Sequence, residues 1–250
     1  AAVPLHLSAH IGSGGDLQLD SYLQWQARHA SGTAQLKDLA LAPWLAWLPA
    51  EWHRQLQLDG RLDSRIQFQT SLKPSLQLQL GASRLSLREV KLQRLGLAPL
   101  QWQRLDLQLN ALDLSRRHVD LADAEWQGLQ LTARKQDDSL DLLQGWSFPS
   151  GTATQPGPGA AAAPWSWQLG RFTLSQARLQ LRQEGAGNPE PLQLDIRRLQ
   201  LQHLSSQAGS QAGLSLDAVT GHRGVIKADG PVGWSPVTAQ LMLQLDRVDL

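Results

Sequence analysis

The sequence is dominated by runs in which leucine alternates with a polar residue, most often glutamine. Residues 76–80 read Leu-Gln-Leu-Gln-Leu, and residues 105–109 read Leu-Asp-Leu-Gln-Leu. In a strand, successive side chains point to opposite faces, so residues two positions apart share a face. On a helix, these leucines would be spread around the whole circumference. Leucine and glutamine both favour helices, but the period outweighs the propensity when it recurs along most of a chain. We therefore predict strands with one apolar face and one polar face.

The alternating runs recur about every 8–12 residues, which is typical of an all-β chain. We interpret the short breaks between them as turns between neighbouring strands. These breaks are Asp59-Gly60, Gly81-Ala82-Ser83, and residues 12–15 and 185–189. The predicted fold is all-β, an extended, mostly antiparallel and repeat-built sheet that forms an open groove or an elongated sandwich, with one short helix.

Two segments depart from the alternation. Residues 149–164 are rich in Gly, Pro and Ala and contain no alternating apolar residues, so burial there cannot offset the entropy of ordering the chain, and we predict a disordered insertion. Residues 43–54 have helical spacing, although Pro49 divides them. Four apolar side chains of this segment could share one face and form a plug over the end of the sheet or a membrane-facing piece: Trp44, Leu45, Leu48 and Trp52.

The chain also contains an internal repeat. A shift of 209 positions aligns residues 5–41 with residues 214–250 without a gap. The alignment matches turn glycines, an aspartate and a tryptophan, which chance seldom keeps in one register: Gly12 with Gly221, Gly15 with Gly224, Asp20 with Asp229, and Trp25 with Trp234. We predict that residues 1–41 are the C-terminal part of one unit, 42–148 the β-rich first part of the next, 149–164 the insertion, and 165–250 the remainder. On this interpretation the chain is a segment of a longer repetitive protein.

Charge and composition exclude several classes of function. The formal net charge is +1, and no basic run supplies the concentrated positive face that nucleic-acid binding needs. There is no cysteine, the seven histidines fall on separate predicted elements, and no nucleophile–base pair can be named. We expect no enzyme activity, no cofactor, no metal site and no nucleic-acid partner.

Three phrases resemble the AsmA-like superfamily, specifically the large envelope proteins catalogued as domain of unknown function 748. They are Gly-Val-Ile-Lys-Ala-Asp-Gly-Pro-Val at residues 224–232, Leu-Ala-Leu-Ala-Pro-Trp-Leu at 39–45 leading to Gly-Arg-Leu-Asp at 60–63, and Phe-Thr-Leu-Ser-Gln-Ala-Arg-Leu-Gln-Leu at 172–181. The resemblance implies a periplasmic location in a parent protein anchored in the inner membrane, and an extended sheet that moves or organises lipids between the two membranes. It carries over no catalytic motif, and we expect the anchor of the parent protein to lie outside this segment.

The leucine face itself gives a physical reason to expect lipid binding. Burying one methylene group is worth about 0.8 kcal/mol, so a 16-carbon acyl chain loses about 13 kcal/mol on entering water, and a continuous leucine surface would lower that barrier. We predict that phospholipid acyl chains contact the apolar residues of the alternating runs, with envelope proteins as further possible partners. The alternative is a structural or secretion scaffold that assists outer-membrane protein or envelope assembly without lipid cargo. The predicted lipid-binding residues are Leu58, Ile66, Phe68, Leu76, Leu78, Leu80, Leu105, Leu107, Leu109, Leu179, Leu181, Leu192, Leu194, Leu241 and Leu243.

Overall fold

A computed structural model gives the three-dimensional structure of the chain. It describes residues 2–12, 14–26, 28–47, 56–71, 77–94, 99–136, 139–141, 165–183, 192–221, 223–234 and 237–247. The predicted insertion at 149–164 lies outside these residues, as does the second half of the predicted helix, including Leu48 and Trp52. The first half forms a short 3₁₀ helix over Ala42–Trp47.

The described residues form strands almost throughout, which confirms the predicted all-β fold. Sixteen strands are present in this part of the chain. They are β1 (Val3–His10), β2 (Asp16–Gln24), β3 (His29–Ala40), β4 (Leu56–Ser71), β5 (Gln77–Leu80), β6 (Ser83–Arg94), β7 (Leu100–Asp113), β8 (His118–Gln127), β9 (Gln130–Gln136), β10 (Ser139–Asp141), β11 (Ser166–Gln183), β12 (Leu192–Ser205), β13 (Gln211–Thr220), β14 (Val225–Trp234), β15 (Val237–Ala239) and β16 (Met242–Asp246).

All sixteen strands belong to one sheet, in which neighbours in sequence are mostly neighbours in space. The pairs are antiparallel except that β11 runs parallel to β8 and β9. Three pairs of short strands lie end to end and share one position in the sheet: β5 with β6 between β4 and β7, β8 with β9 between β7 and β11, and β15 with β16 beside β14. Among the described residues β1 pairs only with β2, and β15 and β16 pair only with β14, so the sheet is open with two free edges.

The strands are much longer than the alternating runs suggest, because the alternation changes phase inside a strand instead of ending it. β4 has 16 residues and β11 has 18. The predicted turn at Asp59-Gly60 is wrong, because Gly60 lies inside β4 at a bulge with φ +139°, where the register with β6 shifts. Gly81 and Ala82 do not form a hairpin turn either. They join β5 to β6, which lie end to end at one position in the sheet. The break at residues 12–15 is a turn as predicted, where the Ile11 N–H donates to the Gly15 carbonyl at 2.8 Å.

The phase changes line up across the sheet. Each of several neighbouring strand positions contains one residue that is left out of the regular pairing. These residues lie beside one another across the sheet, and regular cross-strand pairing is present on both sides of them. Four of these residues have a positive φ: 139° at Gly60, 51° at Glu89, 69° at Gly128 and 54° at Gln176. A bulge bends its strand. Because it adds one extra residue, two apolar residues an odd number of positions apart can still point to the same face. The bulge row consists of Gly60, Glu89, Gln103, Gly128, Gln176 and Arg197.

The two segments related by the 209-residue shift have the same strand register. Val3 lies opposite Leu23 in β1–β2, and the corresponding residues Ala212 and Val232 lie opposite each other in β13–β14. The turn also recurs, since the Thr220 N–H donates to the Gly224 carbonyl at 2.8 Å, as Ile11 does to Gly15. Residues of β3 correspond in the same way to β15 and β16, which pair with β14. The boundaries of the units stay a prediction.

Candidate functional site

One face of the sheet is apolar across its width. Cross-strand partners can be followed directly from β3 to β16, and each step meets an apolar side chain. With strands about 4.8 Å apart, these ten positions span about 43 Å. We call this series the apolar row; it consists of Leu39, Leu62, Leu87, Leu105, Trp126, Leu174, Leu199, Leu216, Ala228 and Leu243.

The predicted lipid-binding residues lie mainly on this face. Eleven are half-buried: Leu58, Ile66, Phe68, Leu78, Leu80, Leu105, Leu107, Leu109, Leu179, Leu181 and Leu194. Leu192 and Leu243 are each 62% exposed, and Leu243 continues the apolar row into β16. Leu241 lies between β15 and β16 instead of in a strand, and Leu76 lies outside the described residues. In the predicted plug, Trp44 is exposed and Leu45 half-buried.

Among the residues that the structure describes, no second layer covers the apolar face. A core leucine in a sandwich is covered by the facing sheet, yet most leucines of the central strands keep a part of their surface in contact with solvent. Ten apolar side chains of the described residues are buried, and five of them are alanines. Five of the ten form one cluster around β11, β12 and β13: Leu129, Leu174, Ala177, Ile196 and Ala218.

Sequence reasoning missed an aromatic pair on this face. The rings of Trp102 in β7 and Trp126 in β8 meet edge to face, with centroids 5.5 Å apart and planes at 84°. Both indole nitrogens are buried without a hydrogen-bond acceptor in the described structure, as is the hydroxyl of Ser64. The alternation Leu100-Gln-Trp102 and Glu125-Trp126 would have placed both rings on the apolar face, but their contact depends on the register of β7 with β8.

The opposite face carries a network of ion pairs. Arg88 contacts Asp63 at 2.8 Å and Asp38 at 3.1 Å, Arg104 contacts Asp106 at 2.6 Å, and Arg171 pairs with Asp123. The hydrogen bonds that Arg171 donates to the Asp123 carboxylate raise the pKa of Arg171. Exposed pairs of this kind contribute little to stability, so this face is polar mainly for solubility and register.

Two further carboxyl groups have shifted pKa values. At Asp195, burial raises the pKa, but hydrogen bonds from Arg178 and Gln193 outweigh it and hold the pKa below its usual value. At Asp113, hydrogen bonds from the Ser115 hydroxyl and the Arg116 N–H lower the pKa. Both groups are therefore held ionised by neighbours that order a strand pair or a turn, and neither faces a second carboxyl group as a general acid–base pair would.

Three cavities lie along the polar face of the described part. The first, of about 510 Å³, extends over β3, β4, β6, β7 and β8, and its polar lining includes Lys37, Arg65, Arg84, Asp106 and Glu125. The others, of about 390 and 330 Å³, lie over β1–β3 and over β3–β5. None of these three cavities lies on the apolar face.

The histidines that the structure describes do not assemble into a ligand set. His6 pairs with Asp20 and His10 with Asp16, each across the β1–β2 hairpin, and the ring nitrogen of His10 lies 2.9 Å from its partner oxygen. In the described parts of the chain, no group of three or more His, Asp or Glu side chains could hold a metal ion. Nor do these parts include a helix of the length and apolar character that crossing a bilayer requires.

Comparison of the chain with protein-family models, with curated proteins and with solved structures gives no match. The resemblance to the AsmA-like superfamily therefore stays a prediction, and the geometry of the two faces is what bears on function.

Proposed function

We propose that this chain is a lipid-handling segment of a bacterial envelope protein, whose apolar sheet face carries phospholipid acyl chains between inner and outer membranes. The observation that supports the proposal is the apolar row, which crosses ten strand positions on a face that no other described part of the chain covers. In this proposal the protein works in the periplasm, its parent protein is anchored in the inner membrane, and no catalytic group or cofactor is needed.

The width and chemistry of the face suit this task. Leucine offers apolar surface without polar atoms that would require partners, so an acyl chain can move along it without breaking hydrogen bonds. The bulge row helps to form this continuous surface. Each bulge adds one residue where the alternation changes phase, so the leucines on both sides of the bulge point to the same face of a long strand. Acyl chains would lie along the open face rather than inside a closed pocket.

The test is transfer of a fluorescent phospholipid between vesicles, with lipid extraction and mass spectrometry of the purified chain. The variant is Leu107→Gln, on the apolar face of β7, and the matched control is Gln108→Ala, the next residue on the opposite face. We expect lipid to copurify with the chain, and Leu107→Gln to lower its transfer rate several-fold while Gln108→Ala leaves it unchanged.

Circular dichroism of both variants separates lost binding from lost folding. A folded chain that neither copurifies with lipid nor accelerates transfer would contradict the proposal. Equal transfer by the two variants, with both folded, would show that lipid does not contact the apolar face of β7.

A scaffold without lipid cargo is a second candidate, and the free edges favour it. β1 is exposed along its whole length, as is β16, so their outward backbone groups are available to pair with a strand of another protein. A client protein captured at an edge would be insensitive to Leu107→Gln, which distinguishes the two candidates.

A further inference from the structure

The polar face contains two arginines whose placement is unfavourable unless something else is bound there. Arg65 in β4 and Arg84 in β6 lie directly opposite each other in the antiparallel pair. Side chains at such positions have Cβ atoms about 4.5–5.5 Å apart, and like charges there repel each other. Both side chains are exposed, and both line the cavity of about 510 Å³.

The carboxylates near this pair are already engaged by other arginines. Asp63 is bound by Arg88 at 2.8 Å, and Asp106 by Arg104 at 2.6 Å. Asp123, also in the cavity lining, is bound by Arg171. Within the described residues no ion pair or hydrogen bond is made by the side chain of Arg65 or Arg84, and Glu125 is the one acidic side chain of the lining without a cation of its own. The lining has four cations and four carboxylates, but three of the carboxylates are bound by arginines. The cations left over are Lys37, Arg65 and Arg84, against Glu125 alone, so positive charge is in excess around Arg65 and Arg84.

Hydrogen-bond donors extend this pair on both sides. The same cross-strand row continues from Arg65 to Gln35 in β3 and from Arg84 to Gln108 in β7. Both amides line the cavity, and neither has a hydrogen-bond partner in the described part of the chain. Lys37, two residues after Gln35, is exposed and is another cation of the lining, besides Arg104, which is bound to Asp106.

From this arrangement we infer that the cavity binds an oxyanion of the phosphate type, held between the guanidinium groups of Arg65 and Arg84. Guanidinium groups present paired N–H donors that match phosphate oxygens, and a bound dianion would replace the repulsion between the two arginines with attraction. The flanking amides of Gln35 and Gln108 would donate to the remaining oxygens. Because the site lies on the face opposite the leucines, its ligand is distinct from the acyl chains of the proposed function.

The test compares inorganic phosphate with chloride at equal ionic strength, using equilibrium dialysis and the unfolding temperature of the whole chain. The variants are Arg65→Gln and Arg84→Gln, each of which removes one guanidinium group. The control is Arg198→Gln, an exposed arginine on the same face of β12 that lies opposite Asp217. A parallel series with glycerol phosphate distinguishes a free anion from a phosphate carried on a larger molecule.

We expect the chain to bind phosphate, each of the two variants to weaken binding about tenfold, and Arg198→Gln to leave it unchanged. In chloride, each variant is expected to unfold at an equal or higher temperature than the natural chain, because the repulsion is gone. Tighter binding of glycerol phosphate would indicate a phosphomonoester as the natural ligand, and preference for inorganic phosphate a free anion.

Absence of phosphate binding by the natural chain would overturn the inference, as would unchanged binding by Arg65→Gln and Arg84→Gln. A rise in unfolding temperature that all variants share would also overturn it, since phosphate stabilises many proteins without a specific site. None of these results bears on the transfer of phospholipid, which is measured separately on the other face.

Discussion

At the scale of single residues, two buried serines show how the same side chain can either support or weaken a strand. The Ser83 hydroxyl accepts a hydrogen bond from the Gln67 N–H at 3.1 Å and donates one to the Gly81 carbonyl at 2.9 Å. The Ser64 hydroxyl, equally buried, has no hydrogen-bond partner in the described structure. The cross-strand partners of Ser64 are Leu36 in β3 and Leu85 in β6. A buried hydroxyl without a partner costs about 1–3 kcal/mol.

Ser64→Ala is therefore expected to increase the free energy of unfolding by about 1 kcal/mol, because it removes an unsatisfied polar group from the apolar face. Ser83→Ala is expected to decrease it by about 1–2 kcal/mol, because it breaks two hydrogen bonds at the junction of β5 and β6. Urea unfolding followed by circular dichroism measures both. A loss of stability in Ser64→Ala similar to that in Ser83→Ala would mean that the Ser64 hydroxyl finds an acceptor.

At the scale of strands, the bulge row converts many short alternating runs into a few long strands. Gly60 is central to this, because its φ of +139° suits glycine and a Cβ there would approach the Val90 side chain at 2.9 Å and its backbone at 3.1 Å. Gly213 in β13 is a natural contrast, since a Cβ there would meet nothing within 4 Å. The two positions test whether the bulge or glycine itself matters.

Gly60→Ala is expected to lower the free energy of unfolding by about 1–3 kcal/mol, because alanine must either adopt a strained backbone or displace β6. Gly213→Ala is expected to be neutral or slightly stabilising, because it reduces the entropy of the unfolded chain without a steric clash. The measurement is the midpoint of urea unfolding for each variant. Equal effects of the two substitutions would contradict the role assigned to the bulge at Gly60.

At the scale of the whole molecule, the described strands form one sheet without a second described layer, so the best-protected strands are expected in the middle of the sheet. The buried cluster of Leu129, Leu174, Ala177, Ile196 and Ala218 joins the strands around β11 and β12, whereas β1 and β16 are exposed throughout. Backbone amides exchange slowly where burial and pairing on both sides protect them.

Hydrogen exchange is therefore expected to be slowest in β11 and β12 and fastest in β1 and β16. Mass spectrometry of peptic fragments measures this, and the corresponding strands β1 and β13 provide a built-in control, since they share a register with their next strand but only β13 is flanked on both sides. Equal protection of β1 and β13 would mean that another strand covers the free edge of β1.

Several features of this fold followed from the sequence because they depend on nearest neighbours. The alternation at residues 105–109 predicted a strand with an apolar face, and Leu105, Leu107 and Leu109 do share that face. The turn at residues 12–15 was also predictable, since its glycines supply a backbone that other residues rarely adopt. Of the predicted lipid-binding set, the half-buried leucines lie on the apolar face, while their contact with lipid stays a prediction.

Other features depend on which strand lies beside which, and no local pattern contains that information. A change of phase at Gly60 is compatible with a turn or with a bulge, and only the partner strand β6, which pairs on both sides of Gly60, decides for the bulge. The contact of Trp102 with Trp126 and the opposition of Arg65 to Arg84 likewise arise from register. The sequence alone determined that the chain forms strands with one apolar face, because alternation fixes where each side chain points. Tertiary structure decided how far that face extends and which charges oppose each other, because strand pairing joins residues that are distant along the chain.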